Sequence, residues 1–376
     1  MSFLPASNLA FARKSHPAID TYPTSVELGN ISSDPERSIP HNIFKGSREI
    51  IVLGAYFSLW YSLTVLYNIA NKRVLTSLPL PAFVATIQLF LGVPLFIVPL
   101  WYRRQLSESF QIQYFKPYWK IALVHGLGHL ATAYSLSASS VAFTHVIKAA
   151  EPVFSAALSA ILLHSYLPTS SYLCLIPIVL GVGWASASEA SFSWFGFTTA
   201  MISNLFYQLR NVLSKLELSR ESTHVNTVVS GTTALSTDME RISPSPVQLY
   251  RVITLMSALQ LIPLVILLEG SSISLVISQL LAPTVDRMTL ISNFLVSGIS
   301  FYLYNEVAFR ILNRVSPTTH AVGNSLKRIV IIGAASFLLG TSLTTQGCIA
   351  SSVAVFGTLL YSLSQNRGNK PTVQFA

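Results

Sequence analysis

Between positions 50 and 364 the chain alternates long apolar stretches with short breakers, a pattern that leaves few architectures available. The breakers include "LPLP" at 78–81, "LPTSS" at 167–171 and "VSP" at 315–317. An apolar run of about 20 residues spans roughly 30 Å of hydrocarbon as a helix, and there a helix satisfies its own backbone hydrogen bonds. Ten such stretches are expected, at 50–70, 81–102, 119–138, 141–163, 171–188, 194–215, 249–268, 288–310, 319–339 and 345–364. Composition agrees: 51% of the residues are hydrophobic and 10% charged, against about 25% charged in a soluble domain. The alternating ~10-residue segments of an outer-membrane barrel are missing. The expected class is an all-α membrane protein with ten transmembrane helices.

Five segments follow from this pattern. A polar N-terminal tail covers 1–47, a first half of five to six helices 48–217, and a Ser/Thr-rich loop with "SPSP" 218–247. A second half covers 248–365 and a C-terminal tail 366–376. The N-terminal tail carries Arg13 and Lys14 but also Asp20, Glu27, Asp34 and Glu36, and it lacks the apolar core of a secretory signal. It reads equally as an atypical targeting segment or as a disordered tail. Lys and Arg gather in the loops on the side of both tails (Arg103, Arg104, Lys116, Arg314), with little beyond Lys72, Arg73 and Arg287 opposite. The positive-inside bias therefore places both termini on the cytosol-like face.

The formal net charge of +9 does not point to nucleic acid, because its cations lie in loops and inside spans, not along one soluble face. Cys174 and Cys348 both sit in apolar runs and have no disulfide or zinc spacing. No metal, ATP site or other cofactor is expected, and oligomeric state is not readable.

The informative residues are the ionisable ones within the spans: His129, Lys148, Glu151, Arg210, Glu306, Arg310, Lys327 and Arg328. Each costs about 2.5–3.5 kcal/mol to place mid-membrane, so such groups face the bundle interior and mark function by default. Lys327 and Arg328 follow "GNSL" and precede nine uncharged residues. With no acidic neighbour in their helix, they either pair with Glu151 or Glu306, snorkel to an interface, or bind an anion. Arg supplies a planar fork for phosphate oxygens and Lys a point charge. Lys148 shares a face with Thr144, and Glu151 stands three residues on, where Arg210 is its expected partner. His129 and Thr132 lie one turn apart, and Tyr302 and Tyr304 are candidate cavity or core aromatics. His145 and His320 read as structural. Three cations with no carboxylate between them are expected to surround one dianion.

The halves echo each other. "VAFTHVIKAAEPVFSAALSAILL" and "VSPTTHAVGNSLKRIVIIGAASFLLG" each run Thr-His, then cations, then a small-residue apolar tail. Five helices per half make such repeats inverted, a transporter plan with the substrate at the midplane. The stretches "SVAFTHVIKAAEPVFSA", "AMISNLFYQLRNVLSK", "YLYNEVA" and "SPTTHAVGNSLKRIVIIG" resemble the plastidic phosphate translocators of the drug/metabolite transporter superfamily, over about residues 48 to 365. That resemblance implies a ten-helix fold of two inverted five-helix repeats, exchanging inorganic phosphate for phosphorylated C3 (or C5/C6) sugars and 3-phosphoglycerate by alternating access. It also implies phosphate held by Lys148, Lys327 and Arg328, with His129, Thr132 and Tyr304 on the rest of the ligand. Glu151 and Arg210 are then structural or gating charges. The implied location is the plastid inner envelope. The competing reading is a nucleotide-sugar transporter of the Golgi or ER, which shares the fold and also needs cations for phosphates. An intramembrane hydrolase lacks a nucleophile–base pair or metal spacing.

Overall fold

The computed structural model describes residues 42–105, 112–230, 245–280, 286–312, 314–315, 317–340 and 344–368. Among them every regular element is a helix: α1 (Asn42–Ser77), α2 (Pro81–Tyr102), α3 (Ile112–Ala138), α4 (Val141–Lys148), α5 (Glu151–Leu162), α6 (Thr169–Leu173), α7 (Leu175–Ser188), α8 (Trp194–Ser230), α9 (Pro246–Leu280), α10 (Arg287–Leu312), α11 (Pro317–Leu338) and α12 (Thr345–Gly368). Residues 48–376 form one unit, whose packing is described below; of the separate unit 1–47, residues 42–47 are described and begin α1. Of the expected tails, 1–41 and 369–376 lie outside the described residues, as does 231–244 of the expected central loop, whose first residues 218–230 lie in α8.

Two expected spans are broken helices, and proline breaks both. Pro152 lacks an N–H and its ring clashes with the carbonyl four residues back, that of Lys148, where α4 ends. Pro177 stands four residues after Leu173, where α6 ends. The carbonyls freed at the first break find partners on neighbouring helices: Asn204 donates to the Ile147 oxygen (3.0 Å) and Thr358 to that of Ala149 (3.1 Å). Such rescue is what permits broken helices at membrane depth. Ser140 caps α4, accepting from the Phe143 N–H at 3.1 Å.

Among the described residues, seven segments are long and apolar enough to cross a bilayer: Glu49–Ser77, Pro81–Tyr102, Val141–Leu162, Thr169–Ser188, Pro246–Ser274, Thr319–Leu338 and Thr345–Gln365. Three of the ten expected stretches fall short of a span by length and composition alone. The three long helices left out, α3, α8 and α10, carry buried polar side chains. These are His125, His129, Thr132 and Ser135 on α3, Ser203 and Asn204 on α8, and Ser297, Ser300 and Glu306 on α10. Their low hydropathy comes from a polar face turned inward.

The outward surface is apolar instead, with Leu267 80% and Phe337 86% exposed. Within the bundle α3 lies along α8 and α7 along α12. Helix α9 packs on α2 and α3, α10 on α2, and α11 on both α4 and α12. The contact of α4 with α11 carries the site. A buried carboxylate ties the other layer: Glu269 of α9 accepts the free N–H groups of Ala82 and Phe83 at the start of α2, each at 2.8 Å. It caps a helix that has no side-chain cap of its own.

Candidate functional site

The break after α4 sets the first half of the site. Lys148 closes α4 and Glu151 opens α5, so a cation stands at a helix C-terminus and an anion at the next N-terminus, each favoured by the helix dipole. Lys148 is buried, donates to Ser203 Oγ at 2.7 Å, and lies 4.8 Å above the Tyr207 ring. Ser203 Oγ also meets Thr132 Oγ1 at 2.7 Å. One α8 serine therefore links the expected cation of α4 to the expected threonine of α3.

Helix α11 supplies the second half. Lys327 points over the Trp60 ring (4.5 Å) and toward Tyr304 (5.8 Å), cation–π contacts that hold an ammonium without a counter-charge. Arg328 is buried and bonds Glu151 Oε2 through Nη2 at 2.7 Å, while its Nε is buried without a hydrogen-bond partner. Lys148 and Glu151 flank the α4–α5 break and Arg328 bonds Glu151, so these groups, with Lys327 next to Arg328 in sequence, make up the candidate site.

Two expectations are corrected here. Glu151 pairs with Arg328, one of the pairings left open for the Lys327–Arg328 doublet, and not with Arg210, because the packing of α11 on α4 brings Arg328 to the break. Arg210 instead meets His125 Nδ1 (3.1 Å) and Asn211 Oδ1 (2.9 Å) and lies 5.2 Å over Tyr207. The cations also do have a carboxylate among them, which leaves three positive charges and one negative.

The remaining candidates fall on one side of this cluster or outside it. His129 is fully buried with its ring 3.9 Å from that of Phe301, and Tyr67 packs on His129, Phe301 and Tyr304. His129 and Tyr304 thus meet through a shared aromatic wall. Thr144 is spent on Ser135 Oγ (3.1 Å), His145 on Asn68 Oδ1 (2.8 Å), and His320 stacks on Trp60 at 5.1 Å. Tyr302 is buried against Phe96 and Tyr250, as a core aromatic. Lys72 caps the end of α3 through the Leu136 and Ser139 carbonyls (2.7 and 2.9 Å). A cleft of about 670 Å³ opens beside it, lined by Arg73, Thr76, Asp286 and Asn293, and none of the candidate site residues lines it.

Sequence reasoning missed Ser203, Tyr207 and Trp60 as partners of the cations, and His125 as partner of Arg210. Buried histidines and serines in apolar helices carry no pattern that separates a partner from a packing residue. Among the described residues no three His, Cys, Asp or Glu gather as a metal site.

The sequence profile of the Triose-phosphate Transporter family matches residues 51–362. The chain is 35% identical over 328 residues to a chloroplastic triose phosphate/phosphate translocator of Flaveria trinervia, covering 86% of this chain and 74% of that one. It is 35% identical over 317 residues to the translocator of the same name from Spinacia oleracea, covering 83% and 72%. It is also 35% identical over 355 residues to the chloroplastic phosphoenolpyruvate/phosphate translocator 2 of Arabidopsis thaliana, covering 93% and 84%.

Proposed function

The chain belongs to the triose-phosphate transporter family, and from that premise we propose that it is an antiporter exchanging inorganic phosphate for phosphorylated three-carbon compounds across the plastid inner envelope. The names of its relatives support both the substrates and the chloroplast. Ten membrane-spanning helices in two inverted repeats complete the reading: α3, α8 and α10 cross the membrane with their polar faces inward, beside the seven apolar spans. The chain is a carrier and not an enzyme.

One observation carries the proposal: Arg328 of α11 ion-pairs with Glu151 at the α4–α5 corner, where Lys148 ends α4. Three cations and one carboxylate leave two positive charges, the complement of one phosphate dianion. Among the described residues Lys148 and Lys327 contact a hydroxyl and aromatic rings, and Arg328 keeps a buried Nε without a hydrogen-bond partner. A phosphate accepts from all three, bidentately from the guanidinium. Thr132, His129 and Tyr304 then line the volume for the carbon skeleton. With the charge cancelled, the loaded site can be sealed from water and the bundle can rock between its two open forms.

Counter-exchange in liposomes tests this. Phosphate-loaded vesicles should take up dihydroxyacetone phosphate and 3-phosphoglycerate, and UMP or UDP-sugars should not compete. Lys148→Ala, Lys327→Ala and Arg328→Ala should each lower exchange by roughly tenfold to a hundredfold, since a hydrogen bond to a charged group contributes about 1.5–3 kcal/mol. Unchanged exchange in correctly inserted Lys327→Ala would remove that residue from the site.

A further inference from the structure

We propose that the adjoining ends of α2, α9 and α10 form a binding site for the phosphate group of an anionic membrane lipid. These ends pack together through Phe96 and Leu100 of α2, Tyr250 of α9, and Tyr302 and Phe309 of α10. Beside that apolar seam two arginines share a single acid. Glu306 Oε1 takes Arg310 from its own helix, with Arg310 Nε at 3.0 Å, and also Arg251 Nη2 of α9 at 3.5 Å. The second contact is long, and Arg251 Nε is buried with no hydrogen-bond partner. The Tyr302 hydroxyl stands beside both Glu306 and Arg251, yet the Arg251 Nε keeps no acceptor, and such a deficit is costly.

The surplus is one positive charge. Phosphodiester oxygens meet it in kind, since a guanidinium edge binds two of them in parallel. The place also has the character of the headgroup layer. Helix α2 ends in Trp101 and Tyr102, exposed by 71% and 84%, and Arg103 and Arg104 follow in the chain. Exposed aromatics at a helix end, succeeded by cations, mark the boundary between hydrocarbon and headgroups. Arg310 is half exposed at the same end. A free phosphate gains only the charge contacts here, whereas a lipid adds its chains to the apolar outer surface. The cluster shares no residue with the cation site of α4 and α11, so it stands whether or not the chain is an exchanger.

Native mass spectrometry of the purified full chain tests the site, with phosphatidylglycerol or phosphatidylcholine added at equal concentration. Phosphatidylglycerol should be retained about tenfold better than phosphatidylcholine, and Arg251→Gln and Arg310→Gln should each lose most of that preference. Glu306→Gln doubles the surplus charge and should strengthen retention by roughly fivefold, as one more cation does at an anionic surface. This gain cannot come from misfolding, so it guards the result against variants that merely unfold. Equal retention of the two lipids, retention unchanged in Arg251→Gln, or loss in Glu306→Gln would each overturn the proposal. Displacement of phosphatidylglycerol by millimolar inorganic phosphate would assign the site to free phosphate instead, and would overturn the lipid.

Discussion

Among the described residues Lys148 has one hydrogen-bond acceptor, Ser203 Oγ, and that oxygen is shared with Thr132. Removing it leaves a buried ammonium with only the Tyr207 face, free to move off the position from which it meets a ligand. Ser203→Ala should raise the substrate concentration for half-maximal exchange by about tenfold, the equivalent of about 1.5 kcal/mol for one charge-assisted bond. Ser203→Thr keeps the oxygen and should recover most of the loss; counter-exchange over a range of phosphate concentrations measures both. The cations themselves were legible in the sequence because a charge in an apolar run needs a reason. Ser203 was not, because a serine in such a helix often bonds its own preceding turn, as Ser214 does with the Arg210 carbonyl. The partner of Glu151 was misread for a related reason. Spacing along one helix brings it near Lys148, but only the approach of α11 decides which arginine reaches the carboxylate.

At the level of helices, apolar runs and breakers located the elements well, and single prolines explain where they failed. The stretches 141–163 and 171–188 read as unbroken spans, yet Pro152 and Pro177 divide them. The first of these breaks creates the α4–α5 corner that holds Lys148 and Glu151. The apolar runs of α3, α8 and α10 were legible too, but the polar side chains they bury lower their average hydropathy, so they fall short of a span by length and composition alone.

The seam between α7 and α12 shows what else the pattern hides. A Cβ added to Gly181 would lie 2.5 Å from the Ala354 nitrogen and 2.8 Å from the Ala350 oxygen, whereas one on Gly183 meets nothing within 4 Å. Two glycines two residues apart thus have opposite roles. Gly181→Ala should destabilise the protein by about 1–3 kcal/mol through overpacking of two backbones. Gly183→Ala should be neutral or stabilise by up to about 1 kcal/mol through helix propensity. Their half-unfolding temperatures in detergent should fall on either side of the unaltered chain, and equal shifts would show that the α7–α12 seam accommodates an added methyl.

For the whole molecule the governing quantity is the charge that must be enclosed when the carrier changes sides. The proposed site sets Lys148, Lys327 and Arg328 against Glu151, and among the described residues the first two have no carboxylate within ion-pair distance. Two uncompensated charges sealed in the bundle cost about 2.5–3.5 kcal/mol each on membrane-insertion scales. A bound dianion cancels that cost, so the loaded form crosses the occluded state and the empty form is held back. Part of the penalty is recovered by water left in the cavity, and the expected slowing is at least about a hundredfold, less than the full sum implies. Vesicles loaded with labelled phosphate should therefore release it rapidly into buffer containing triose phosphate and very slowly into substrate-free buffer. Glu151 is what keeps the surplus at two: were the carboxylate absent, even a loaded dianion would leave a charge behind. Rapid release into empty buffer would mean that the unloaded site can close at little cost, and exchange would then need some other origin than charge balance at the α4–α11 contact.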